Sequence, residues 1–156
     1  MKDIVGVIFI LLSFLGFYLI ENVFTIEPQV TSGNGNLGML IILLLSPIFF
    51  VSYFYTFKRT REVFYKVQKK IIKALILSLL FLWGIVLVFL NIEYTGDLII
   101  ALGGTPSDPD SRIFRFGWFN QYTNSIYFNF YTFLLTHIIA VISGILSVIR
   151  NKEKRH

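Results

Sequence analysis

Cysteine is absent from this chain of 156 residues, histidine occurs twice, and only 15% of the residues are charged. Without thiols there is no disulfide framework and no thiolate metal site, and cysteine usage says nothing about compartment. His137 and the terminal His156 leave no cluster for zinc or a di-iron centre, so neither a metal nor a cofactor is expected. Nucleophilic catalysis needs a serine or cysteine beside a base and an orienting acid. The one internal base, His137, has no acid at its depth in the chain, and no catalytic residue is assigned. What fills the sequence instead is apolar: 55% of the residues are hydrophobic and the mean hydropathy is +0.70. These values lie outside the range of soluble domains and indicate an integral membrane protein.

Four apolar runs are long enough to cross a hydrocarbon core that takes about 20 helical residues. They cover residues 4–20, 37–57, 71–92 and 127–149, and they predict a single all-α domain over 1–156, four transmembrane helices in a bundle. Lys2 ahead of the first run resembles a signal peptide. However, Glu21-Asn22-Val23-Phe24 offers no small-x-small cleavage site, so an uncleaved anchor is expected. The formal charge of +5 is distributed by topology rather than as a nucleic-acid footprint. Lys58, Arg59, Arg61, Lys66, Lys69 and Lys70 fall between the second and third runs, with Lys73 at the start of the third, and Arg150, Lys152, Lys154 and Arg155 close the chain. By the positive-inside rule both regions and both termini are cytoplasmic, in a multi-pass plasma-membrane protein. Only Arg112 and Arg115 then lie outside. Glu21, Glu27, Glu93, Asp97, Asp108 and Asp110 lie in or beside the outer connections.

The first outer connection, with Pro28 and Gly33-Asn34-Gly35-Asn36, reads as a short turn-rich loop. Between Lys58 and Lys70, Val63, Phe64 and Val67 have the spacing of an amphipathic turn or two, extending a span or lying along the inner headgroups. No internal repeat supports an inverted-repeat transporter.

His137 is the sole ionisable group near the centre of a span, and such residues face a bundle interior or cavity. Helical phase groups it with Phe133, Ala140, Val141, Gly144 and Ser147, and places Ile138, Ile142, Ile145, Leu146 and Ile149 toward lipid. Small residues permit close helix approach, so the histidine face is the expected packed face. Counted at ~1.5 Å per residue, His137 and Trp83 both stand ~18 Å from the cytoplasmic ends of their helices. Gly16, Ser46, Pro47 and Gly84 fall near the same level, giving a candidate midplane polar layer of Gly16, Ser46, Pro47, Trp83, Gly84 and His137. Pro47 frees a carbonyl near Leu43, which His137 or Trp83 is placed to satisfy. The layer reads either as a structural clasp or as a proton or ligand site, with the clasp preferred because no chain of ionisable groups accompanies the histidine.

The longest connection, 93–126, is too long for a simple turn and too aromatic for disorder. Asp97 to Gly104, "DLIIALGG", is expected to form a brief strand, a re-entrant turn or an interfacial helix. Phe114, Phe116 and Trp118 alternate with Ile113, Arg115 and Gly117 in a strand-like pattern. The aromatic run suits the membrane interface, and an interfacial cap over the bundle accounts for the segment. Its candidate recognition residues are Asp97, Asp108, Asp110, Arg112, Arg115 and Trp118, the arginines pairing with the aspartates or gripping lipid headgroups. Asp108-Pro109-Asp110-Ser111 lacks the glycine and bidentate glutamate of an EF-hand loop.

In size and layout the chain resembles small four-span bacterial membrane proteins, a similarity that transfers no residue roles. Richness in Phe, Ile, Asn and Lys suits an AT-rich bacterial genome. The expected function is a non-enzymatic accessory, regulatory or protective partner of another envelope component. Expected contacts are the bilayer and either another membrane protein or a second copy of the chain, not nucleic acid. Two alternatives differ in kind: a small oligomeric transporter or channel with His137 in the path, and a lipid-headgroup enzyme using the outer carboxylates.

Overall fold

The computed structural model describes residues 2–31 and 35–153. Gly33 and Asn34 of the first connection, and the basic residues Lys154 and Arg155, lie outside the described residues. Among those described the chain is helical, with no strand. Helix α1 (Lys2–Leu19) runs into a π turn (Ile20–Phe24), followed by α2 (Leu37–Lys66), α3 (Lys70–Ala101), two short helices α4 (Arg112–Phe116) and α5 (Asn124–Tyr127), and α6 (Phe130–Glu153). Four segments are long and apolar enough to cross a membrane: Ile4–Phe24, Leu37–Lys66, Lys70–Ala101 and Asn124–Arg150.

Local chemistry explains where these helices start and stop. Asn36 caps α2, its side-chain oxygen accepting from the Met39 N–H at 3.0 Å. Pro47 does not end α2, because the hydroxyl of Ser46 donates to the Leu43 carbonyl at 2.9 Å and satisfies the acceptor that proline strands. Neither His137 nor Trp83 serves it, contrary to the sequence expectation. Beyond Phe57 the helix continues to Lys66, since the basic stretch contains no glycine or proline to stop it.

Two segments of the long connection differ from their sequence reading. Asp97 to Ala101 is neither strand nor re-entrant turn but the last turn of α3. The helix ends only at Gly103 and Gly104, whose φ angles of 85° and 112° are open to glycine alone at low cost. Their N–H groups return to Ile100 and Ile99, each at 3.0 Å, closing the end in the Schellman manner. The alternation from Ile113 to Trp118 likewise gives no strand. Ser111 caps α4 by accepting from the Phe114 N–H at 2.9 Å, and Gly117 ends it at φ 77°. Burial of Ile113 fixes which side of this single turn faces inward.

Helix α6 holds the molecule together by packing on α2 and α3 and, more lightly, on α1, while α1 packs on α2. Small residues set the closeness of these contacts. A Cβ on Gly144 would lie 2.9 Å from the Phe57 carbonyl oxygen and 2.9 Å from Thr60 Cβ, and one on Gly16 would lie 2.7 Å from the Phe49 ring. Phe17, Ile20, Phe49 and Phe133 form the apolar core, with Phe17 to Phe49 and Phe17 to Phe133 centroids at 5.0 and 5.5 Å in edge geometry. The histidine face of α6 is only partly as expected. Phe133, Ala140 and Gly144 are buried and Leu146 is exposed, but Ile145, assigned to lipid by phase, is fully buried with Val148. Contact with helices on two sides widens the buried arc of α6 beyond a single stripe.

Helix α3 is different. Its buried residues are Lys73 and Leu87, and most of its large apolar side chains are exposed. Polar contacts fasten its far end: Asn91 accepts from the Asn129 side-chain amide at 2.9 Å, and the Tyr94 hydroxyl bonds with Glu21 and Ser125. Where neighbouring surfaces are as apolar as lipid, such hydrogen bonds are a principal source of helix adhesion.

Candidate functional site in the cap between α3 and α6

The segment joining α3 to α6 is a folded cap. Leu102, Ile113 and Tyr122 form its own buried apolar cluster, with Ile26, Leu98 and Ile99 against it. Backbone bonds tie its parts together, from the Arg112 N–H to the Leu102 carbonyl and from the Ile26 N–H to the Gln121 carbonyl, both at 2.9 Å. Asp108 clamps a turn, accepting from the Thr105 N–H at 2.6 Å and the Thr105 hydroxyl at 2.9 Å.

The cap also holds a set of buried polar side chains: Asn120, Thr123, Asn124, Ser125 and Asn129. Each is satisfied. Asn120 accepts from the Tyr122 N–H at 2.7 Å and Thr123 donates to the Trp118 carbonyl at 2.6 Å. Asn124 and Asn36 exchange amide bonds of 2.7 and 3.1 Å, joining the cap to the start of α2. Asn129 caps α6 by accepting from the Thr132 N–H at 2.9 Å, while the Thr132 hydroxyl accepts from the Asn129 N–H at 2.9 Å. Glu21, aimed by the π turn, accepts from the Phe130 N–H at 3.1 Å, placing a carboxylate at the positive end of α6. Sequence reasoning passed over these asparagines. A signal was present in the two Asn-x-x-Thr spacings, Asn120 to Thr123 and Asn129 to Thr132, which match reciprocal side-chain-to-backbone capping.

The candidate recognition residues take distinct positions. Asp97 is exposed on α3, Asp108 belongs to the turn, and Asp110 lines a cleft of about 630 Å³ together with Thr31, Pro109, Ser111, Arg112, Arg115, Phe116 and Tyr122. The expected pairing of Arg112 and Arg115 with Asp97, Asp108 or Asp110 does not form; among the described residues neither arginine makes an ion pair. Each instead lies over a ring, Arg112 at 4.4 Å from the Tyr122 centroid and Arg115 at 5.2 Å from that of Phe116. Trp118 is 40% exposed, Phe114 57% and Phe119 69%.

The six midplane residues do not come together as one layer. His137 bonds through Nε2 to the Ser52 hydroxyl at 2.9 Å and through Nδ1 to the Phe133 carbonyl at 2.9 Å. The Tyr53 and Phe133 rings flank it with centroids at 5.0 and 4.3 Å. Ser52, fully buried on α2, is the partner that depth counting missed. Gly16 meets α2 at Leu45 and Phe49, and Ser46 serves its own helix. Trp83 is 61% exposed and Gly84 faces open space on α3, which packs on α6 rather than on α1 or α2. Comparison with protein-family models, curated proteins and solved structures gave no match, so the functional reading rests on this chemistry alone.

Proposed function

We propose that this chain is a non-enzymatic plasma-membrane protein, a bundle of four spans whose cap serves as a recognition surface toward another envelope component. The observation that carries the reading is the construction of the cap. Five buried polar side chains are each given partners, and the surface they support displays Phe114, Trp118 and Phe119. Satisfied polar networks hold one geometry, and exposed aromatic groups of this kind anchor protein interfaces. Engagement of both His137 nitrogens supports a clasp between α2 and α6 rather than a conduction path. Commitment of Asp108 to a turn weakens the carboxylate-enzyme alternative. Purification in mild detergent is expected to recover a stoichiometric membrane partner, lost when Trp118 and Phe119 are replaced by serine; a reproducibly solitary protein counts against the reading.

The orientation belongs to the same proposal: termini and the α2–α3 connection in the cytoplasm, cap outside, as the basic residues direct. The cysteine-free sequence gives a clean background for its test. A single cysteine at Ser107 is expected to react with an impermeant maleimide on intact cells, and one at Gln68 only after lysis. The reverse labelling pattern sinks the orientation.

A further inference from the structure

We infer that the cleft between Arg112, Arg115 and Tyr122 binds a phosphate ester. Three features converge there. The two guanidinium groups lie one helical turn apart on α4, and among the described residues neither forms an ion pair with a carboxylate. Each guanidinium carbon lies over an aromatic ring, and among the described residues no guanidinium N–H of either arginine is spent on a protein hydrogen bond, so these donors are available to a bidentate oxyanion. The platform is fixed before any ligand arrives. Tyr122, Ser111 and Ile113 are buried to within 1%, and the Arg112 N–H is held by the Leu102 carbonyl. A surface arginine in a mobile loop has none of this preorganisation.

The cleft of about 630 Å³ is of ligand size and is not uniformly cationic. Asp110 on its wall disfavours a second anionic group and accepts hydrogen bonds from a hydroxyl or ammonium. The chemistry selected is therefore a phosphate carrying a short hydroxyl- or amine-bearing arm. Position supports two sources for it. Counted from Lys73 at ~1.5 Å per residue, Ala101 stands ~42 Å along α3, ~12 Å past a hydrocarbon layer of about 30 Å. Arg112, bonded to the next residue, Leu102, thus reaches the fringe of the headgroups, where a lipid phosphate and a soluble phosphate ester are both accessible. This inference does not depend on a protein partner, and its readout is separate from co-purification.

The test uses the full chain in detergent, with native mass spectrometry counting bound phosphatidylglycerol against phosphatidylcholine and calorimetry titrating glycerol phosphate. Preferential phosphatidylglycerol binding, weakened at least tenfold by Arg115→Gln and by the Arg112→Gln/Arg115→Gln pair, assigns the lipid source. Glycerol phosphate binding with the same sensitivity, and no lipid preference, assigns the soluble source. Arg115 is exposed and outside the cap's apolar cluster, so its single variant keeps the fold even where loss of Arg112 disturbs Tyr122. Binding of neither probe by the parent protein, or equal binding by parent and variants, overturns the inference.

Discussion

Replacing Asn129 by leucine is expected to unfasten α3 and α5 from α6 and to cost about 3 kcal/mol or more, the sum of a lost helix cap and stranded buried partners at about 1–3 kcal/mol each. The side chain is fully buried. Its amide donates to Asn91 at 2.9 Å and to the Ser125 carbonyl at 2.8 Å, and its oxygen accepts from the Thr132 N–H at 2.9 Å. Leucine has similar bulk and serves none of these groups. Because α3 buries so little apolar surface of its own, the loss falls on a contact with little reserve. Thermal unfolding in detergent should show it against Asn22→Ala, whose side chain bonds only to the exposed carbonyl one turn back. Equal stability of the two variants would contradict the assigned role of the polar seam.

Gly144→Leu should separate α2 from α6. Even the first added carbon lies 2.9 Å from the Phe57 backbone oxygen, which cannot rotate away as a side chain does. Overpacking of this kind costs about 1–3 kcal/mol and sometimes more, and the rigid neighbour puts this case at the upper end. Separation also lengthens the Ser52 to His137 bond, so the imidazole resonances should move with the stability. Gly84→Leu is the matched control: it meets nothing within 4 Å and gains helix propensity, so it should be neutral or mildly stabilising. A reversed order of the two variants would refute the packing described for α6.

The contrast between those glycines marks what the sequence could and could not convey. Four spans were legible because hydrocarbon thickness sets a length that apolar runs either meet or miss. Which helix pairs with which was not. Gly84, expected in the midplane layer, and Gly144, expected on the packed histidine face, both read as interior positions, and only the packing of α6 against two helices separates them. Depth counting put His137 beside Trp83, yet depth fixes one coordinate and leaves rotation about the helix axis free, so Ser52 was missed and Trp83 lies at the surface. In the cap, alternation from Ile113 to Trp118 imitated a strand because six residues cannot separate period two from period 3.6. The cap by Ser111 decided it. Arg112 and Arg115 were recognisable as exceptions to the charge rule, but opposite charge nearby in sequence did not predict pairing. Asp108 was already engaged by Thr105.

The aromatic surface of the cap is proposed to meet a specific partner. A photo-crosslinking residue placed at Phe119, 69% exposed on that surface, tests it in intact cells, with the same residue at Phe81, 59% exposed on α3, as reference. One discrete protein adduct is expected from Phe119 and only lipid adducts from Phe81. Lipid adducts from both positions, with no protein trapped at Phe119, would contradict it.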